Sequence, residues 1–541
     1  MPMQHTWDYL ILTASNERQA AGYEGQIELR RRAGLLPEIG TAMVVADPQG
    51  KRVGSGGSTL YCLMRVIEAE CQRSGQAADS WAALEKMLRG LRILILHAGG
   101  DSRRVPAYGP CGKIFSPVPG EARGDVISTL FDRLYPVFRD MPRGPADSGQ
   151  VIVAAGDALL LFDAQAISFD RPGLVALGAY ATPEAASKHG VFCVAEDGRA
   201  RLFLQKPSPA EQQRFGAVDA RGRAVLDIGV MSFDAATAVA LFRAFDVEPG
   251  PRGPRFSDEL ETLVLDRGLD LYREICCALG SEATAEHHRS GSLASGSTWS
   301  AGQLAKVFGV LSHVPLSAVV LPQCDFLHFG TTRQLITSGL ELLKHDGQPS
   351  GADVTVSLNN RLAGQGRIVG GGSWIEGCRI AAPLKLAGQN VVVGLDIDAP
   401  LELPAGACLD VIAGHDRAGR EVWFVRAYHV ADTFKDTLAR GATLGGMPLA
   451  DWLTAVGATA EDVWAAKIAP EARSLWDARV FPAVTLPQDY RDWLWMFDPA
   501  SATAEQKRLF HETNRYSVAE IALLADMDAF YTRRSSPCDM H

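Results

Sequence analysis

No stretch of this 541-residue chain approaches the roughly 18 apolar residues that a membrane span needs. Nor is there an excess of positive charge: 53 Lys and Arg stand against 63 Asp and Glu, a formal net charge of -10. A general nucleic-acid surface needs clustered cations, so that class is excluded. The ten cysteines, at 62, 71, 111, 193, 276, 277, 324, 378, 408 and 538, form no Cys-x-x-Cys pair and keep no regular spacing with histidine. That pattern implies reduced, mostly buried thiols rather than a disulfide framework or a zinc site. His287-His288 has no spaced third ligand and is not read as a metal site. The opening, MPMQHTWDYLILTASNERQ, lacks a cationic head, a long apolar core and a cleavage site. A soluble cytoplasmic protein is expected, with neither a membrane nor nucleic acid among its partners.

What is present is material for more than one core: 47% of the residues are hydrophobic, and the length predicts two or three domains. The most informative stretch is LRILILHAGGDSRRVPAYGPCGK, from Leu91 to Lys113. Its apolar run, broken only by Arg92, suits a strand buried on both faces of a parallel sheet. Gly99 and Gly100 follow at once, where absent side chains let backbone amides approach an anion. Arg103, Arg104 and Lys113 then bring fixed cations to the carboxyl end of that strand, which is where a polyphosphate would be met.

Around this stretch the chain reads as alternating strands and helices. Strands are expected at Trp7 to Thr13, Met43 to Ala46, Gly149 to Ala155, Leu174 to Tyr180, Leu202 to Gln205 and Val225 to Phe233, and helices at Arg18 to Arg32, Leu60 to Cys71 and Asp125 to Phe138. Gly54-Ser55-Gly56-Gly57-Ser58-Thr59 offers either free amides at a helix start or a helix capped by Ser58 or Thr59. Asp157, just past a strand end, is either a turn cap or a ligand for magnesium between phosphates. Asp227 inside an apolar run implies a paired or metal-bound carboxylate. Lys206 closes a strand as a compact cation or a solvated one, and His189 fits a core position or a substrate contact equally.

Farther on the character changes. Residues 280–303 are rich in Ser, Ala, Gly and Thr and read as a flexible linker. From about Val319 to Val411 short β-rich pieces carry apolar residues every five to seven positions, at Ile368, Ile375, Ile380, Leu386 and Val392. This spacing predicts β-helix coils, with a β-sandwich as the alternative. After Trp423 to Arg426, taken as the last strand, Ala450 to Lys467 and Val518 to Tyr531 show helical spacing, with frequent tryptophans for packing.

The segments WDYLILTASNERQAAGYEGQ, RVGSGGSTL, HAGGDSRRVPAYGPCGKIF, GVF, QKPS and DIGV occur in an order that resembles the fucose-1-phosphate guanylyltransferases. These include a stand-alone vertebrate type and the front half of bifunctional fucokinase/GDP-fucose pyrophosphorylases. FLHFGTTR, starting at Phe326, and Trp374-Ile375-Glu376 continue the likeness, which covers about 7 to 435 and thins in the tail. The resemblance implies an α/β fold: a Rossmann-like nucleotidyltransferase domain (1–280), a linker and connecting segment (281–318), a β-helix-like domain (319–430) and a helical C-terminal region (431–541). It further implies GTP and a sugar 1-phosphate, L-fucose 1-phosphate in this family, as substrates, with Mg2+ as cofactor. Arg103 and Lys113 would be catalytic, Gly56, Gly57, Ser58, Gly99 and Gly100 nucleotide-binding, Lys206 and His189 substrate-binding, and Asp157 and Asp227 metal ligands. The β-rich domain would serve any homo-oligomer. A kinase segment like that of the bifunctional proteins does not appear before His541, so a separate fucokinase or a longer product is expected. Remaining readings are UTP or another hexose 1-phosphate, a silent sugar-nucleotide-binding subunit, or, on the Gly54 loop alone, a dinucleotide oxidoreductase.

Overall fold

Strand β1 (Trp7–Ala14) is buried at every position but Asp8, as expected of a strand covered on both faces. The structure is a computed structural model and describes residues 6–100, 102–164 and 167–535; Cys538 lies outside them. The chain divides into two units, Met1–Gly99 with Leu134–Gly156 and Leu160–Phe326, and Gly100–Arg133 with Asp157–Leu159 and Leu327–His541.

In the first unit β1 pairs in parallel with β2 (Ile39–Ala46) and β3 (Arg92–His97), and β3 with β4 (Gln150–Ala155). The sheet continues through β5 (Leu174–Ala181), β6 (Gly190–Val194), β7 (Ala200–Gln205), β8 (Ala224–Phe233) and β9 (Leu316–Leu321). Its path is β9-β5-β8-β4-β3-β1-β2, with the β6-β7 hairpin attached through β8. Strand β8 runs antiparallel to β4 and β5, so the sheet is mixed. Alternate residues such as Tyr9, Ile11, Ile93, Ile95, Val151 and Val153 face a core filled by helix α1 (Gly54–Ser74), through Leu60, Leu63 and Ile67. Arg92 explains how a cation sits in such a strand. Its guanidinium donates to Gln150 Oε1 at 2.8 Å and to the Thr6 and Met141 carbonyls, and lies 3.9 Å from the Trp7 ring centre. Burial still pulls it down to about 10.

The stretch expected to be a flexible linker is helical. Ala285–Ala294 and Ala301–Leu311 form helices whose Thr284 and Ser300 side chains cap their first turns. Composition misled because Ser and Thr serve loops and N-caps alike. His288 is fully buried, with Nε2 3.0 Å from the Glu274 carbonyl, a packing position.

In the second unit short strands stack in three parallel columns. Val356–Leu358, Trp374–Glu376, Val391–Val393 and the start of Ala407–His415 make the first. Arg361–Leu362, Arg379–Ile380 and Asp396–Ile397 make the second, and Arg367–Val369, Pro383–Leu386 and Leu401–Leu403 the third. Val356, Trp374, Val391 and Cys408 stand in register 18, 17 and 17 residues apart, which is three corners per repeat and the source of the five-to-seven spacing. The stack is then closed by antiparallel pairing: Ala407–His415 with Glu421–His429, that strand with Phe481–Val484, and that one with Arg515–Tyr516. Trp423 to Arg426 is therefore not the last strand. The two long C-terminal helices are also corrected. The first breaks at Gly457 (φ 73°) into Leu449–Val456 and Ala460–Val463, and the second into Val518–Leu524 and Met527–Ser535. Trp452, Trp464, Trp476, Trp493 and Trp495 are all buried, as packing residues should be.

Candidate functional site

Strand β3 ends at His97, and the Thr13 hydroxyl at the end of β1 accepts the next two amides, Ala98 at 3.1 Å and Gly99 at 3.2 Å. A Cβ on Gly99 would come 3.3 Å from the Ala14 carbonyl carbon, so glycine permits this close passage. The amide of Gly99 is thus taken within the protein, and Thr13 was invisible to motif reading. Gly100 then adopts φ 121° and Ser102 φ 53°, the left-handed region that a serine enters only when its surroundings hold it there.

In the second unit the loop buries its backbone and shows its charges. Val105, Ala107, Tyr108, Ile114 and Phe115 are at most 1% exposed, whereas Arg103 and Lys113 are half-buried and Arg104 is exposed. Lys113 follows Gly112 (φ 69°) and begins a short helical turn. Its Nζ lies 2.9 Å from Asp157 Oδ2, and His328 Nε2 lies 3.9 Å from Oδ1. Burial alone would raise the Asp157 carboxyl, but the Lys113 ammonium, helped by His328 and Arg104, holds it below the ordinary carboxylate range. Two of the expected residues, Lys113 and Asp157, are thus brought together. Arg103 sits with its guanidinium carbon 5.9 Å from the Trp476 ring centre, a neighbour from the tail that no local motif announced. Arg104 is anchored through its carbonyl, which accepts from the Thr332 amide at 2.9 Å.

In the first unit His189, Lys206 and Asp227 meet where β6 and β7 start and finish. The Lys206 amide donates to the His189 carbonyl at 2.9 Å, and Lys206 has φ 51°. A Cβ on Gly190 would lie 3.2 Å from Asp227 Cβ, so Asp227 packs directly beneath this junction. The His189 ring stands edge-on to Phe326, 6.1 Å between centres. Asp227 is 6% exposed and its Oδ1 accepts from the Gly229 amide at 2.9 Å.

Burial pushes the Asp227 carboxyl up to about 7, with the Gly229 amide partly opposing. The folded-state value lies above the roughly 3.9 of an unfolded aspartate, so the proton is held more tightly in the folded chain. The associated stability is complete below about pH 4 and drains away as pH rises through 7. Asp227→Asn is therefore expected to melt higher than wild type at pH 8 and at the same temperature at pH 4. Thermal melts across that range check it, and a variant no more stable at pH 8 would refute the raised carboxyl.

Gly56, Gly57 and Ser58 each have a hydrogen-bond partner within the protein. The amides of Gly56 and Gly57 both donate to the Leu269 carbonyl, at 2.9 and 3.1 Å, so they are not free at the helix start. A Cβ on Gly54 would fall 2.3 Å from that same oxygen, and one on Gly56 2.9 Å from the Leu269 side chain. These glycines let the Leu269 segment pack against α1. Ser58 is no cap either: its hydroxyl donates to Asp47 Oδ1 at 2.9 Å.

Among the described residues no group of three or more His, Cys, Asp and Glu is gathered to hold a metal ion. Magnesium does not demand one, being commonly held by one or two carboxylates together with substrate phosphates. Asp157, a charged carboxylate with a third of its side chain exposed, fits that donor set. Asp227, enclosed and half-neutral near pH 7, fits it less well.

Cations on a bent backbone, just beyond a parallel strand of an α/β sheet, are features that suit a phosphate-bearing ligand. The chain belongs to the fucose pyrophosphorylase domain family, whose model matches residues 85–486. It is 27% identical over 509 residues to the L-fucokinase/L-fucose-1-P guanylyltransferase of Bacteroides fragilis, covering 90% of this chain and 47% of that protein. The bifunctional fucokinase/GDP-fucose pyrophosphorylase of Arabidopsis thaliana is 26% identical over 570 residues, with 95% and 50% covered. The fucose-1-phosphate guanylyltransferase of Mus musculus is 27% identical over 449 residues, with 74% and 70% covered. The chain spans about half the length of the two bifunctional relatives. Among the described residues no helix is long and apolar enough to cross a membrane.

Proposed function

We propose that this protein is a fucose-1-phosphate guanylyltransferase, making GDP-L-fucose and pyrophosphate from GTP and L-fucose 1-phosphate. An oxygen of the sugar phosphate attacks the α-phosphorus of GTP in line. The bond from that phosphorus to the α,β-bridging oxygen breaks, and pyrophosphate leaves with the electron pair. The nucleophile is already anionic, so the protein's task is to align repelling polyanions and neutralise the charge gathering on the leaving group. Arg103 and Lys113 take that charge, and Gly99 and Gly100 shape the turn. The three parallel columns support reading the second unit as β-helix-like. The names of two relatives join a fucokinase to this activity, so a kinase acting at the anomeric carbon is the proposed source of the sugar phosphate.

The observation that carries this reading is the Lys113–Asp157 pair on a loop whose apolar residues are buried and whose cations are half-buried or exposed. Asp157 would hold magnesium, which when bound would supply positive charge to the phosphates. Until phosphates arrive, Asp157 keeps Lys113 oriented. Asp157→Asn is expected to lower turnover and raise the magnesium concentration needed for half-maximal rate. An unchanged magnesium requirement would remove Asp157 from metal binding. The reading itself is tested by pyrophosphate release with GTP, UTP and ATP against L-fucose, mannose, galactose and glucose 1-phosphates. GTP with L-fucose 1-phosphate should be fastest. Preference for another pair would reassign the substrate, and no release from any pair would overturn the activity.

A further inference from the structure

The loop between Arg103 and Lys113 rests on side chains that are far away in sequence, all of them in the second unit. Pro106, Ala107 and Tyr108 form one tight helical turn. Arg426 reaches it from the strand Glu421–His429, donating from Nη1 to the Pro106 carbonyl at 2.9 Å and from Nη2 to that of Ala107 at 3.5 Å. Its Nε is held by Asp410 Oδ1 at 2.5 Å across the neighbouring strand, in the paired register Asp410↔Arg426. Both side chains are 1% exposed. The Tyr108 hydroxyl accepts from Trp374 Nε1 at 2.8 Å and donates to Glu376 Oε2 at 3.4 Å. Glu376 in turn binds Arg534 bidentately, with both contacts at 2.7 Å. Arg534 comes from Met527–Ser535, the last helix of the described chain.

Two buried ion pairs under one loop call for an explanation other than stability. Apolar residues of similar volume would hold a core together as well, because the attraction barely repays the desolvation of both charges. What an apolar core cannot do is donate to two turn carbonyls or orient a phenol. A guanidinium can satisfy a carboxylate and two carbonyls together because its five donors are fixed in a planar fork. Each pair therefore ends on a backbone or side-chain atom of the loop.

We infer that Arg426 with Asp410, and Arg534 with Glu376, Trp374 and Tyr108, are positioning residues that fix the turn from which Arg103 and Lys113 project. The inference rests on the reading of that loop as the phosphate-binding element. It makes the stacked-strand unit and the last helix part of the catalytic apparatus, although none of these residues touches substrate.

The test uses Tyr108→Phe, which keeps the ring and removes only the hydroxyl, and Arg426→Lys, which keeps the charge and loses the fork. In both, kcat for pyrophosphate release is expected to fall roughly 10- to 100-fold with KM for the sugar phosphate changed less than about threefold, the signature of misplaced rather than missing contacts. Amide hydrogen exchange over 102–116 should speed up without faster exchange across the first sheet. In an Arg103→Ala background either change should cost far less than it does alone, because residues acting through one another are not additive. A loosened loop with full kcat, a lowered kcat with an unchanged loop, or fully multiplicative losses would each overturn the inference. Should the wild-type protein release no pyrophosphate, the proposed activity fails. Exchange over 102–116 then decides by itself whether the network holds the loop.

Discussion

Replacing Arg103 with alanine is expected to lower turnover by about 100-fold or more, as for removal of one preorganised charge from a transition state. The fold should survive the change. Arg103 is half-buried, and its aromatic neighbour Trp476 is 5.9 Å away at the guanidinium carbon, a contact worth about 0.5–1 kcal/mol. Loss of that contact by itself should shift unfolding by only a few degrees while the rate collapses. Arg103→Lys separates charge from shape: a point charge without the planar fork should recover part of the loss and leave the rate well below wild type. Steady-state kinetics of pyrophosphate release with saturating GTP, beside a thermal melt, makes the measurement. A loss under about threefold would remove Arg103 from the reacting set.

The α/β sheet could be read because its strands are locally consistent. β1, β3 and β4 are near-continuous apolar runs bounded by turn residues, and that signal needs no partner to be legible. The spacing in the second unit was legible too, since 17 or 18 residues per repeat over three corners leaves a period in the sequence. At the site, Asp157 could be placed because it stands two residues past a strand end, and Lys113 because it closes a stretch of glycines and cations that carries its own pattern. The amides of Gly56 and Gly57 are not free, and the sequence could not show it for a physical reason. Glycine serves close approach of any backbone, and only the fold reveals that the approaching group is the Leu269 carbonyl. Thr13, Trp476 and Arg426 were out of reach because their work depends on tertiary neighbours and no local pattern marks it. The tail was misjudged likewise. Phe481–Val484 becomes a strand by pairing with Glu421–His429, and a short run beginning Phe-Pro carries little strand signal of its own.

Glu376→Ala is expected to destabilise the second unit by about 3–5 kcal/mol, since it strands a buried guanidinium without its carboxylate. Glu376 is 0% exposed and the Arg534 side chain 2%. Burial works against the charge on Arg534, and the Glu376 carboxylate more than offsets it. Without that partner the guanidinium keeps the Phe530 carbonyl at 2.7 Å and the face of the Phe530 ring, neither of which carries a compensating charge. Asn359 and Tyr108 lose an acceptor at the same time. The double change Glu376→Leu with Arg534→Met removes both charges at similar volume and should regain most of the loss. The opposite result, a double variant as unstable as the single one, would mean that the hydrogen bonds to Tyr108 and Asn359 matter more than the stranded charge. Tryptophan fluorescence during urea unfolding can follow this, because Trp374, Trp423, Trp452, Trp464, Trp476, Trp493 and Trp495, seven of the ten, lie in the second unit. A recovered double variant should still turn over slowly, since leucine at 376 cannot accept from the Tyr108 hydroxyl. Stability and turnover would then part company, as expected of a pair whose chief work is to orient the loop above it.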